Sequence, residues 1–139
     1  MRVYVAATAS HLRELVDTGV VAEELVGFAA TQALAAEFAG VSTDEIEYAL
    51  SVAAAEASAA LLGAGPAAPT GRRVVVVADL PESAVQVDPD MPGGVRVDAG
   101  LTLGQVDAVL ADPDDIASPA DLGNDLAWYA TQEMSDLLA

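Results

Sequence analysis

Hydrophobic and polar residues alternate from Arg2 to Ala7, with Val3 and Val5 on one side and Arg2 and Tyr4 on the other, the period-two pattern of a strand. Ser10 then reads as the N-cap of a helix over His11 to Asp17, with Gly19 as its stop. A second strand fits Val26 to Ala30, after which Thr31 caps a short helix, Gln32 to Ala39, that ends at Gly40. The clearest helix begins at Ser42, which forms a capping box with Glu45, while Asp44, Glu45 and Glu47 complement the positive end of the helix dipole. Along it Ile46, Ala49, Leu50, Ala53, Ala57, Ala60 and Leu61 recur at helical spacing until Gly63. Because that stripe is mostly Ala, whatever packs on it comes close, and a sheet or a partner helix suits it better than a small ligand.

Pro66 to Gly71 reads as a loop that divides the chain. The run from Arg73 to Asp79 carries four consecutive Val, the mark of a strand buried on both faces and so central in a sheet. Ala84 to Asp88 and Val95 to Asp98 alternate in matched fashion around Pro-Asp-Met-Pro-Gly-Gly, which predicts a hairpin with a loop of about six residues. Val106 to Ala111 is a further apolar strand, closed by Asp112-Pro113-Asp114-Asp115. The tail from Leu126 suits either a helix or a strand followed by a short helix. Ala-Thr-Gln occurs at 30–32 and again at 130–132, each time downstream of a strand and a polar capping segment. Read as an internal repeat, it favours strand then helix for the tail. It also suggests two similar strand-helix-strand-helix halves around the long Ala-rich helix and the hairpin. The expected architecture is therefore α/β: one domain over residues 1–139, a mixed sheet with helices packed on it.

Composition then narrows the function. At 139 residues the chain is long enough to bury roughly two-thirds of its unfolded surface without staples. It has no Cys, which removes disulfides, thiolate metal sites and cysteine nucleophiles and fits a reducing cytoplasm. The opening lacks the basic start and cleavage site of a signal peptide, and the Ala-rich stretch from Ser51 to Gly65 is too short to span a bilayer. Twenty-two acids against five Arg, one His and no Lys give a formal charge of −17. Such a field repels phosphate backbones and anionic membranes and welcomes a basic protein, a cation or a polyamine, although solubility alone also accounts for it. GC-rich codon usage explains the missing Lys; adaptation to high salt is the alternative.

The segments MRVYVAAT, GFAAT and LAWYATQEMSDLL together resemble a family of small actinobacterial proteins of unknown function. The resemblance covers most of the chain and implies a cytoplasmic bacterial protein, but no activity, cofactor or catalytic residue.

Several chemistries lack their residues. Without Lys there is neither a Schiff base nor a Walker lysine. Gly63-Ala-Gly65 follows a helix instead of a strand and lacks the third Gly of a dinucleotide fingerprint, and there is no Gly-x-Ser-x-Gly elbow. His11 is the only imidazole, so any Ser–His–Asp triad must use it and multi-His zinc sites are excluded; its ordinary role is a first-turn side chain. Asp112, Asp114 and Asp115 follow a strand, where clustered carboxylates hold Mg²⁺ in open α/β sheets, yet Asp-Pro-Asp-Asp is equally a turn. An apolar strand followed by Asp-x-Asp resembles haloacid-dehalogenase phosphatases. Those need a later Lys or equivalent cation, and here no Arg follows Arg96. Trp128, Tyr129, Gln132 and Glu133 combine aromatic and hydrogen-bonding groups as binding surfaces do, but a chain with six aromatics is expected to use its Trp in the core or at a subunit interface. The leading expectation is a non-enzymatic binding or protein-interaction module, partnered by itself as a homodimer or by a basic protein, without nucleic acid or membrane and without a required cofactor. The alternative is a small divalent-metal or acid/base enzyme using the strand-end carboxylates Asp79, Asp112, Asp114 or Asp115.

Overall fold

The structure is a computed structural model and describes residues 1–62, 71–116 and 119–138. In chain order its elements are β1 (Arg2–Ala7), α1 (Ala9–Thr18), β2 (Val20–Val21), β3 (Leu25–Phe28), α2 (Gln32–Glu37) and α3 (Thr43–Leu62). They continue with β4 (Val74–Asp79), β5 (Gln86–Val87), β6 (Gly94–Val97), β7 (Leu101–Thr102), β8 (Val106–Ala111), β9 (Ala127–Ala130) and α4 (Met134–Leu137). Seven strands form one sheet in the order β5-β6-β3-β1-β4-β8-β9, and β2 pairs with β7 in a small second sheet. Helices packed on a sheet are what the pattern predicts. The sheet was expected to be mixed, but every described pairing is antiparallel. The Val run reports burial on both faces and carries no information about strand direction.

The interior of the sheet explains that run. Val74, Val76 and Ala78 join Val3, Val5 and Ala7 in a core closed by Leu12 and Leu15 of α1 and Met134 and Leu137 of α4. Val75 and Val77 point the other way, with Tyr4, Phe28 and Ala108, under Leu34 of α2 and Leu50, Ala54 and Ala55 of α3. A register shift between Val77 and Ala78 lets Val106 and Val109 both serve the first core. β4 thus alternates between two cores, one on each side.

The boundaries shift where the caps differ from expectation. α1 is capped by Thr8, not Ser10: Thr8 Oγ1 accepts from the His11 amide at 3.4 Å, and His11 Nδ1 accepts from the Thr8 amide at 3.0 Å. A His closes this capping box where Glu or Gln usually does. Thr31 caps α2 as expected, and Ser42 Oγ accepts from the Glu45 amide at 3.2 Å. Gly100 (φ 74°) turns the chain from β6 into β7 so tightly that a Cβ would collide with the carbonyl oxygen of Val21. The loop expected over Pro66 to Gly71 lies outside the described residues except for Gly71.

Both Ala-Thr-Gln segments sit where a strand turns into a helical segment, as the repeat implies. In sheet order β3-β1 and β8-β9 flank β4 symmetrically. The second half has a 3₁₀ turn (Pro119–Gly123) in place of a helix between its strands, and α4 packs on the face opposite to α2.

Candidate functional site

Ser58 fixes how α3 lies. Fully buried, it donates to the Ala7 carbonyl at 2.7 Å and accepts from the Val74 amide at 2.8 Å, bridging paired residues of β1 and β4. With Ser58, Leu50, Ala54 and Ala55 turned to the sheet, the expected stripe is rotated sideways: Ala49, Ala60 and Leu61 are exposed and Ile46, Ala53 and Ala57 half-buried. The sequence stripe is therefore largely not the buried seam. A Ser amid Ala gave no signal that it, and not the neighbouring Ala53 and Ala57, faces the sheet.

The rotated stripe forms one wall of a cleft of about 770 Å³. Leu34 and Phe38 face it from α2 and its cap, Phe28 lies at its base, and Met91 and Pro92 of the β5–β6 turn close the far side. That turn is held by Asp88, whose side chain accepts from the Asp90 amide at 2.9 Å, and by the Ala29 amide donating to the Gly93 carbonyl at 2.8 Å. Gly93 (φ 81°) allows the approach, since a Cβ there would lie 3.2 Å from Leu34 Cδ2 and 3.4 Å from Leu50 Cδ2. Among the described residues the charged lining is Glu45 and Glu56, with no cationic side chain. A cleft of this volume with a mostly apolar lining suits apolar contact.

The strand-end carboxylates have other partners. Asp112 is buried and takes both oxygens to Arg73: Nε and the backbone amide donate to Oδ2 at 3.0 and 2.9 Å, and Nη2 to Oδ1 at 2.8 Å. The same guanidinium donates to the carbonyls of Leu122, Asp121 and Asn124, anchoring the segment between β8 and β9. Asp114 and Asp115 are exposed, Asp115 lying 3.5 Å from Arg72. Asp79 ends β4 while Asp112 lies opposite Arg73, just before its start, which puts about 20 Å between them. Among the described residues no three His, Cys, Asp or Glu side chains come together to hold a metal. Arg73 lies 39 positions from Asp112, so no local pattern announces the pair.

The tail residues do not converge. Trp128, expected in the core or at a subunit interface, is outside the core: it is 64% exposed on β9, at the edge of the sheet. Tyr129 is half-buried against the α1–α4 core, Gln132 is exposed, and Glu133 Oε1 accepts from the Ala130 amide at 3.0 Å. His11 is half-buried; its Nδ1 faces the Thr8 amide at 3.0 Å and its Nε2 lies 2.6 Å from Glu23 Oε1. Among the described residues the one hydroxyl within reach of the ring, Thr8 Oγ1 at 3.3 Å from Nδ1, accepts from the His11 amide as the cap of α1.

The sequence model of a family of unknown function (DUF6912) matches residues 1–138, and the chain belongs to that family. No curated protein and no solved structure matches it. Among the described residues no helix is long and apolar enough to cross a membrane.

Proposed function

We propose that this member of a family without an assigned activity is a non-enzymatic interaction module. Its cleft between α2, α3 and the β5–β6 turn takes the amphipathic helix of a basic partner protein. The observation that carries this reading is the pairing of an apolar cleft of about 770 Å³ with a purely acidic rim, Glu45 and Glu56. Helix-in-groove recognition uses apolar anchors one turn apart, and the Ala-rich wall lets a second helix axis approach closely. Lys and Arg flanking those anchors would meet both the rim and a chain of charge −17. A second copy, the other partner that the sequence suggests, would instead set like charges against each other, which costs association free energy. The absence of Cys suits a reducing cytoplasm, where we place the protein. Dispersal of Asp79, Asp112 and His11 favours binding over catalysis.

Fluorescence anisotropy with a labelled Leu/Lys amphipathic peptide tests this, against a Leu/Glu peptide of the same apolar face. The Leu/Lys peptide should bind, more weakly as salt rises, and Ala53→Trp, which fills the cleft, should abolish binding without lowering Tm by more than a few degrees. Equal binding of both peptides, no binding to the folded protein, or a dimer in sedimentation that Ala53→Trp dissociates would each overturn the reading.

A further inference from the structure

The opposite flank of α3 carries a second, separate feature. Tyr48 of α3 and Trp128 of β9 are 59% and 64% exposed, large rings left out of a chain that has few aromatics. Together with Tyr4 they line a hollow of about 220 Å³, below the roughly 300 Å³ at which drug-sized pockets begin. The sheet register explains the depth. Tyr4 pairs with Val77 and Val77 with Ala108, while Trp128 pairs with Leu110 one step along, so the small Ala108 lies in the floor between the rings. Tyr48 is held in place by its hydroxyl, which donates to Asp125 Oδ1 at 3.0 Å. Glu47 adds a carboxylate to the lining, and its present partner is Arg2 at 3.6 Å. Arg2 also lines the hollow and hydrogen-bonds Tyr4, but half-exposed contacts of this kind contribute little, so a cation binding here competes with Arg2.

We propose that this hollow binds a quaternary or fully methylated ammonium group, through the faces of Tyr4, Tyr48 and Trp128 and the charge of Glu47. Aromatic faces attract cations, and the attraction is strongest where the cation sheds little water. A methylated ammonium meets that condition and matches the apolar floor; a bare ammonium is strongly hydrated and does not. The excess of 17 negative charges raises the local concentration of any such cation. The ammonium could belong to a free small molecule or to a methylated lysine side chain, since both present the same head group.

Trp128 is the chain's one Trp, so its fluorescence reports directly on this site. The protein is titrated with tetramethylammonium, choline and a trimethyllysine peptide, and with ammonium and the neutral isostere 3,3-dimethylbutanol at matched ionic strength. A saturable change with at least one methylated cation, and none with the two controls, is the expected result. Response to the free ions identifies a small-molecule site; response to the peptide alone identifies a methylated-lysine site. Tyr48→Ala should weaken binding roughly 3- to 30-fold, whereas Tyr48→Phe, which keeps the ring and loses the tether to Asp125, should weaken it less. Arg2→Ala should tighten it, because the competing cation is gone. Calorimetry repeats the comparison for Trp128→Ala, where binding should be lost. An equal response to 3,3-dimethylbutanol, no saturation with any methylated cation, or unchanged affinity in Tyr48→Ala would overturn the proposal.

Discussion

Two buried polar side chains carry more of the fold than any sequence pattern announces. Ser58 satisfies a carbonyl and an amide where β1 and β4 pair, so Ser58→Ala leaves the Val74 amide buried without its acceptor. The expected loss is about 1–3 kcal/mol in urea denaturation. Asp112→Ala strands the Arg73 guanidinium in a buried site and should cost about 3–5 kcal/mol, with or without added Mg²⁺. Stabilisation by Mg²⁺ of the wild type but not of Asp112→Ala would instead return Asp112 to the role of a metal ligand. Tyr4 offers a test by pH. Burial pushes its hydroxyl above the ordinary phenol range, Glu47 pushes it further, and the charge and hydrogen bond of Arg2 pull it back. The stability tied to its neutral form is present in full below pH about 10 and is lost as pH rises through the higher folded value, because the unfolded chain ionises first. The urea midpoint should therefore fall between pH 9 and pH 11, and fall less in Tyr4→Phe; equal falls would contradict the assignment.

At the scale of elements, legibility follows the range of the interaction. Strands β1, β4 and β8 match their expected spans within a residue, since alternation and the Val run are local records of burial. The tail is a strand and then a short helix, as the repeated Ala-Thr-Gln suggested. What local pattern does not record is orientation. The face of α3 toward the sheet was misread because Ala is nearly as compatible with solvent as with a core, and the deciding contact is the hydroxyl of Ser58. Thr8 was passed over as a cap because its capping-box partner is His11, an unusual residue in that role. Scarcity placed Trp128 in the core or at a subunit interface; it is not in the core, because β9 is an edge strand and one of its alternating faces lies beyond the cover of α3. The cleft itself was half visible: its Ala-rich wall stands in the sequence, while Phe28, Leu34 and Met91 come to it only through the turn that Asp88 and Gly93 build.

The whole molecule is a sheet with a core on either face, β3-β1 and β8-β9 set about β4, and two distinct hollows on the flanks of one helix. Its charge of −17 acts on both. Raising salt from 50 to 500 mM should stabilise the chain against urea by screening self-repulsion while weakening the capture of a basic helix. The two trends therefore run in opposite directions in the same buffers. The most direct test of the cleft as the binding face is amide chemical-shift mapping by NMR during titration with the Leu/Lys amphipathic peptide. The proposal predicts that the perturbed amides cluster on α2, on α3 at Ile46, Ala49, Ala53 and Ala57, and at Met91 and Gly93. Perturbations centred on β9 and Trp128, or spread evenly over the acidic surface, would contradict it.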